Sequence, residues 1–76
     1  MREYLKDMRQ KHKMSMQEVA DAIGISRQYY EMIENGKRQK RMDITLISAL
    51  AKAFSVSPEV ILDNEMKISE KEYANV

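Results

Sequence analysis

The residues best suited to specific chemistry lie between positions 27 and 41. Arg27 can make paired hydrogen bonds to O6 and N7 of guanine, and Gln28 can do the same with N6 and N7 of adenine. Five of these side chains are our candidate base readers: Arg27, Gln28, Tyr29, Glu31 and Met32. Met32 or Tyr29 could touch a thymine methyl group, and Glu31 could accept from cytosine N4 or repel a misplaced phosphate. These side chains need a rigid element to present them together.

A short helix is expected just before these residues. Ser15 is a good N-cap, and Glu18 stands three residues later, which is the spacing of a capping box. Apolar side chains then fall on one stripe at helical spacing: Met16, Val19, Ala20 and Ile23. Gly24 follows, and glycine readily takes the left-handed conformation that ends a helix. The pattern predicts a helix of about two turns, ending in a turn at Gly24.

A second short helix carries the candidate readers. Ser26 can cap it, and Asn35-Gly36 ends it after Glu34. At about 100° per residue, Tyr30 and Ile33 point to one side, and the opposite side is polar. The polar side comprises Arg27, Gln28, Glu31 and Met32. Periodicity alone favours an ordinary amphipathic helix with a solvated side.

The order of elements favours a more specific interpretation. Cap, short helix, glycine turn, polar-faced helix and basic loop succeed one another as in a helix-turn-helix. The loop holds four cations between positions 37 and 41, and we expect them and the N–H groups around Asn35-Gly36 to face phosphates. A solvated charged loop is the alternative interpretation.

The stretch Ser15 to Arg38 resembles the helix-turn-helix of Cro/CI-type phage repressors, the Xre-like transcriptional regulators. The similarity runs from about Leu5 to Leu62. The matching pieces are Leu5-Lys6-Asp7-Met8-Arg9, Glu18-Val19-Ala20, Ile23-Gly24-Ile25-Ser26, Ile33-Glu34-Asn35-Gly36-Lys37-Arg38, Leu50-Ala51-Lys52-Ala53-Phe54 and Val56-Ser57. The resemblance implies an all-α, compact five-helix lambda-repressor-like DNA-binding domain, with or without a short extra C-terminal helix.

The resemblance also implies roles for individual residues. Arg9 and Glu34 match a family ion pair that ties the first helix to the end of the reading helix. The family often has glutamine at the position of Met16, where it contacts phosphate; here Gln17 or the helix N-terminus takes that contact, or Met16 merely packs, which we favour. The candidate phosphate-binding residues are Gln17, Asn35, Lys37, Arg38, Lys40 and Arg41.

Two further departures from the family concern the backbone. Lys13 stands where glycine is usual, so a left-handed conformation there would be slightly strained. The loop is about two residues longer than usual and lacks the customary proline, which leaves the path of residues 38–42 open.

The remaining elements can be placed by caps and periodicity. Residues 1–13 should form a first helix of about ten residues. Asp43 can cap a fourth helix through about Phe54. Its expected inner stripe comprises Ile44, Ile47, Ser48, Ala51 and Phe54, with Leu46 and Leu50 elsewhere. Ser57 and Pro58 should start a short fifth helix through about Leu62. We therefore divide the chain into a DNA-binding domain, 1–63, and a C-terminal tail or short helix, 64–76, which could serve in dimerisation.

Composition limits the remaining classes of function. The 76 residues are 43% hydrophobic and include no Cys, which excludes a disulfide framework and any thiolate metal site. We expect no metal or cofactor, and no enzyme, because no nucleophile–base pair, glycine-rich phosphate loop or convergent carboxylate pair is present. The lone His12 reads as a partly exposed helix residue. No apolar run approaches the roughly 18 residues of a membrane span, so we expect a cytoplasmic protein without a signal peptide.

The distribution of charged residues along the chain, and apolar residues that one helix cannot all bury, suggest the binding partners. Residues 1–56 carry eleven Lys and Arg against seven Asp and Glu, whereas residues 57–76 carry two against five. We expect double-stranded operator DNA as the partner of a homodimer formed through Leu50, Val60, Ile61 and Leu62, since a helix cannot turn three consecutive apolar residues inward. The alternative is an antitoxin-type module of the same fold that binds a small protein, which the acidic tail would suit.

Overall fold

Five helices make up the described part of the chain, in which no strand occurs. A computed structural model describes residues 1–39 and 41–74, with side chains described for 1–39 and 41–68. The helices are α1 (Glu3–Lys11), α2 (Met16–Ile23), α3 (Arg27–Glu34), α4 (Ile44–Ala53) and α5 (Pro58–Ala74). No helix among these residues has the length and apolar character needed to cross a lipid bilayer. The all-α, five-helix expectation is confirmed.

The core lies between all five helices. Its fully buried large side chains are Leu5, Val19, Tyr30, Ile33, Leu50, Phe54 and Ile61. Methionines at positions 8, 14 and 16 pack around this cluster and remain half-buried, in keeping with the adaptable shape of the thioether side chain. Met16 therefore packs against the core, as its apolar chemistry suggested.

The inward face of α4 differs from the predicted one. Asp43 caps the helix as expected, its carboxylate accepting from the backbone N–H of Leu46 at 2.7 Å. However, Ile44 is 85% exposed, whereas Leu46 and Leu50 are buried. The helix is apolar on two sides, and the side that carries the series Leu46, Leu50 and Phe54, spaced by four, faces the core. The prediction that Ile44 points inward and Leu50 elsewhere is wrong.

Helix α5 is longer than the sequence indicated. It begins at Pro58 as predicted, but it continues without a break to Ala74 instead of ending near Leu62. Asn64 does not interrupt it, because its side-chain amide donates to the carbonyl of Val60 one turn earlier, at 2.8 Å. The helix thus crosses the expected boundary between residues 63 and 64.

Left-handed backbone follows two of the helices at non-glycine residues. Lys13, two residues after α1, has φ 54°, and Ser55, two residues after α4, has φ 53°. Strain was expected at Lys13 if its backbone were left-handed, and the structure has that conformation. The residues just before Lys13 and Ser55 are in contact: His12 is exposed at the end of α1, and its ring stacks on Phe54, with centroids 6.0 Å apart.

Candidate nucleic-acid interface

The turn between α2 and α3 is fixed by caps on both sides. The Ser15 hydroxyl accepts from the N–H of Glu18 at 3.1 Å, and the Glu18 carboxylate accepts from the N–H of Ser15 at 3.0 Å. Gly24 ends α2 in the left-handed region, with φ 77°. A Cβ atom at Gly24 would meet nothing within 4 Å, so backbone conformation, and not lack of space, favours glycine here. The predicted capping box and glycine turn are confirmed.

Helix α3 has distinct inner and outer faces. Ser26 caps it, its hydroxyl accepting from the N–H of Tyr29 at 3.1 Å. Tyr30, Ile33 and Glu34 are fully buried. The five candidate readers lie on the rest of the helix: Arg27 and Gln28 are exposed, while Tyr29, Glu31 and Met32 are half-buried. The inner residues anchor the helix, and Tyr29 also packs against the core. The outer face therefore consists of Arg27, Gln28, Glu31 and Met32.

Two of the outer residues pair with each other. Nη1 of Arg27 lies 3.4 Å from Oε2 of Glu31, one turn further along the helix. The two side chains are 55% and 43% exposed, so the pair contributes under about 1 kcal/mol to stability. Arg27 and Glu31 can therefore give up this contact at little cost and bind a ligand instead. When no ligand is present, Glu31 positions the Arg27 side chain.

Tyr29 connects the outer face to the following loop. Its hydroxyl accepts a hydrogen bond from the Gln39 side-chain amide at 3.0 Å. This hydrogen bond restrains the Tyr29 side chain. This link could not be predicted from the sequence, because Gln39 lies in the loop whose path was open.

A buried ion pair anchors the end of α3 to α1. Nε and Nη2 of Arg9 donate to the two carboxylate oxygens of Glu34, at 3.1 and 3.0 Å. The Glu34 side chain is fully buried and that of Arg9 is 13% exposed. The hydrogen bond to Glu34 raises the pKa of Arg9 above its ordinary value. The ion pair implied by the family resemblance is therefore present, and it is bidentate.

The same region holds a buried tyrosine. Burial raises the pKa of Tyr30 above its ordinary value of 10, and the neighbouring Glu34 carboxylate raises it further. Tyr30 therefore stays neutral at physiological pH, as a core residue should.

The loop after α3 displays cationic side chains, while the backbone N–H groups of residues 35–38 are already used. Asn35, Lys37 and Arg38 are exposed. The backbone N–H groups of residues 35 and 36 donate to carbonyls of α3, and those of Lys37 and Arg38 both donate to the carbonyl of Met32, at 2.9 and 3.3 Å. The expectation that N–H groups around Asn35-Gly36 face phosphates is therefore wrong; side chains are what this loop offers.

The remaining candidate phosphate-binding residues are Arg41, Lys40 and Gln17. Arg41 is exposed and engaged in an interaction within the protein. Lys40 lies outside the described residues. Gln17 is exposed on the first turn of α2, where its amide donates to the Asp21 carboxylate at 2.8 Å. Gln17 can therefore reach a ligand only by giving up that contact.

The candidate dimerisation residues divide into two groups. Leu50 and Ile61 are fully buried in the core of the single chain, so their assignment to a dimer contact is corrected. Val60 and Leu62 are 38% and 45% exposed, and Met66, one turn after Leu62, is 54% exposed. Exposed apolar side chains thus remain on α5 on both sides of Ile61.

Sequence reasoning missed a polar cluster formed by Arg2, Tyr4 and Glu65. Nε of Arg2 lies 2.9 Å from Oε2 of Glu65, and the Tyr4 hydroxyl also donates to that carboxylate. Burial raises the pKa of Tyr4, and the Glu65 carboxylate raises it further. One signal was available: Glu65 lies four residues after Ile61 and three before Ile68, which places a carboxylate on the inward stripe of α5.

The sequence of the chain matches a known protein family. A family model described as helix-turn-helix, HTH_3, matches residues 5–61. The match spans α1 to the start of α5 and includes both helices of the glycine turn. No curated protein and no solved structure matches the chain.

Proposed function

Because the chain belongs to the helix-turn-helix family HTH_3, a family of DNA-binding regulatory domains of the Xre or Cro/CI type, we propose that it is a sequence-specific transcriptional repressor that reads operator DNA with α3. One observation carries this proposal. Arg27 and Gln28 project from an eight-residue helix whose opposite face is fully buried. A rigid helix with a polar outer face fits the major groove of B-DNA, which admits an α-helix.

The outer residues have separate roles in this proposal. Arg27 donates to guanine and Gln28 pairs with adenine, while Met32 and the Tyr29 ring contact a thymine methyl group. Glu31 orients Arg27, with which it already forms an ion pair. Its carboxylate selects cytosine by accepting a hydrogen bond from the N4 amino group. These contacts supply specificity.

Phosphate contacts supply most of the affinity that does not depend on sequence. Lys37 and Arg38 follow α3 directly and are exposed, so they are the principal phosphate ligands. The remaining contributors are Gln17, Asn35, Lys40 and Arg41. Because the N–H groups of residues 35–38 are used internally, charge rather than backbone hydrogen bonding dominates binding at this end of the helix.

A binding selection from a random duplex library, followed by titration at several salt concentrations, tests the proposal. The full chain should select one preferred sequence. Lys37→Ala with Arg38→Ala should weaken binding to all sequences and reduce the log–log salt slope by roughly one per lost phosphate contact. The matched control is Lys52→Ala with Lys67→Ala, which removes the same charge from exposed sites on α4 and α5. An equal effect of both pairs would mean that the loop has no special role.

A separate set of substitutions tests which residues read the bases. Arg27→Ala or Gln28→Ala should reduce discrimination by about 1–3 kcal/mol at one or two base pairs per half-site, while the salt slope changes by about one or less. Selection of the same site by wild type and variant would show that other residues read the bases. If the full chain binds no duplex, the antitoxin-type alternative gains, and a small protein that co-purifies with the chain would support it.

We also propose that the chain acts as a two-fold symmetric dimer. One helix-turn-helix covers few base pairs, and dimers of this architecture place two reading helices about 34–36 Å apart, one helical turn of DNA. The exposed residues Leu62 and Met66, one turn apart on α5, provide the apolar surface for this contact, whereas Val60 lies on the other side of the buried Ile61. Leu50 and Ile61 support it only indirectly, by holding α4 and α5 together.

A further inference from the structure

Arg2 caps the C-terminal end of α3 although it precedes α1 in the chain. Its backbone N–H donates to the carbonyl of Glu34 at 2.7 Å, and its Nη1 donates to the carbonyl of Ile33 at 2.6 Å. The residue is 4% exposed. A cation at this end of a helix satisfies carbonyls without intrahelical partners and interacts favourably with the helix dipole.

The same guanidinium also holds the loop that follows α3. Nη1 donates to the carbonyl of Arg38 at 3.1 Å, and Nη2 donates to the carbonyl of Gln39. The remaining donors face Glu65 of α5, with Nε 2.9 Å from Oε2 and Nη2 3.0 Å from Oε1. One side chain therefore joins the end of the reading helix, the basic loop and the C-terminal helix.

The other hydrogen bonds described for residues 37–39 reach α3. The N–H groups of Lys37 and Arg38 bond to Met32, and the Gln39 amide bonds to Tyr29. Gln39 itself has φ 54°, in the left-handed region that L-residues rarely adopt. A conformation of this kind persists only when its surroundings determine it, and the Arg2 guanidinium binds the carbonyls of the two peptide groups that flank the Gln39 Cα atom.

We propose that Arg2 is a positioning residue for DNA phosphate binding. It holds Lys37 and Arg38 in the orientation that meets the backbone of the duplex, and Glu65 holds Arg2 in place from α5. The inference rests on the proposed function and adds to it a residue that contacts no DNA. Arg2 contributes to affinity through the loop cations, so its effect should require them.

A double-mutant cycle on the full chain tests this dependence. Binding to a labelled duplex of random sequence is measured from about 50 to 200 mM salt. Arg2→Met, which keeps a long apolar stem, should weaken binding roughly tenfold and reduce the salt slope by about one. In the Lys37→Ala, Arg38→Ala background the same substitution should cost less than about twofold, since contacts in one network are not additive. Arg2→Lys should recover only part of the loss, because one ammonium cannot reach both carbonyls and the carboxylate.

A purely structural role for Arg2 gives a different pattern. A general loss of folded protein would weaken binding by the same factor in both backgrounds and would leave the salt slope unchanged; that result would overturn the proposal. If Arg2→Met fails to fold, Glu65→Gln replaces it in the same cycle. It keeps the carbonyl contacts of Arg2 but removes the opposing charge, and a smaller loss that again requires Lys37 and Arg38 is expected.

Hydrogen exchange separates this inference from the proposed function. Without DNA, the amides of Lys37 and Arg38 should exchange faster in Arg2→Met than in the wild type, while those of Val19 and Ala20 in α2 stay protected. If the wild type binds no duplex, the proposed function fails, and this measurement alone decides whether Arg2 orders the loop. Unchanged exchange at Lys37 and Arg38 would contradict the inference.

Discussion

Arg9 and Glu34 form a bidentate ion pair between α1 and the last turn of α3, with both carboxylate oxygens accepting from one guanidinium. The Glu34 carboxylate has no exposure to solvent. Such a pair is costly to break from one side, because the surviving charge stays buried without its partner. It therefore holds the last turn of α3 against α1.

Substitution of Arg9 by Met should lower the free energy of unfolding by about 3–5 kcal/mol at neutral pH. Urea unfolding followed by circular dichroism measures this change. Arg27→Ala is the matched control, because it breaks an exposed arginine–glutamate pair and should cost under about 1 kcal/mol. Similar losses from the two substitutions would show that burial of the Arg9–Glu34 pair has little energetic consequence.

Replacement of Lys13 by glycine should stabilise the protein. Lys13 has φ 54°, a conformation that costs an L-residue roughly 1–2 kcal/mol. Glycine loses more entropy on folding, by about 0.4–1 kcal/mol, so a net gain of about 0.5–1 kcal/mol is expected. The urea midpoint should rise with the denaturant dependence unchanged. Lys11→Gly, within α1, should instead destabilise by up to about 1 kcal/mol; a loss in both variants would refute the strain at Lys13.

Stability should fall at alkaline pH because of Tyr4 and Tyr30. Burial raises the pKa of both hydroxyls above the ordinary value of 10, so above about pH 10 the unfolded chain releases these protons while the folded protein keeps them. The stabilising effect is complete below pH 10 and is lost as pH rises above it, by up to about 1.4 kcal/mol per pH unit for each group.

The contribution of each tyrosine can be isolated by substitution. Tyr30→Phe and Tyr4→Phe should each show a shallower loss of stability than the wild type between about pH 9 and 11. Guanidinium unfolding at several pH values measures the slopes, and Tyr29→Phe serves as the control because the Tyr29 hydroxyl bonds to the Gln39 amide and not to a carboxylate. Parallel curves for wild type and Tyr30→Phe would mean that Tyr30 does not titrate differently in the two states.

The proposed dimer should depend on the exposed apolar residues of α5. Leu62→Glu with Met66→Glu places two charges on adjacent turns, and sedimentation equilibrium should then show a monomer at concentrations where the wild type is a dimer. Lys67→Glu, on the same helix but exposed elsewhere, should leave the association unchanged. A wild-type chain that remains a monomer both alone and on DNA would exclude the dimer. Point substitutions are preferable to truncation after Asn64, which would also remove Glu65.

Local signals in the sequence predicted most of the helix ends. Ser15 with Glu18, Ser26 and Asp43 cap helices in the structure as expected, because a cap depends on groups within three residues of each other. The outer face of α3 was equally predictable, since Tyr30 and Ile33 leave only one side free. The exposure of Arg27 and Gln28 follows directly.

Features that depend on distant partners could not be predicted in this way. The inward face of α4 was misassigned because Ile44 and Leu46 lie on two apolar sides, and only packing against other helices selects one of them. The continuation of α5 was missed since Glu65 finds its partner Arg2 at a separation of 63 residues. The path of the loop likewise depends on the contacts of Gln39 with Tyr29 and Arg2.

The division of α3 into a buried and an outer face has an evolutionary consequence. Exposed substitutions away from caps and networks usually change stability by no more than about 0.5 kcal/mol, so Arg27 and Gln28 can mutate while Tyr30, Ile33 and Glu34 keep the helix in place. If α3 reads DNA as proposed, new sequence preferences can arise by single neutral steps, without passing through unfolded intermediates. Descendants of one ancestral scaffold would then diverge in the DNA sites they bind while retaining the same core.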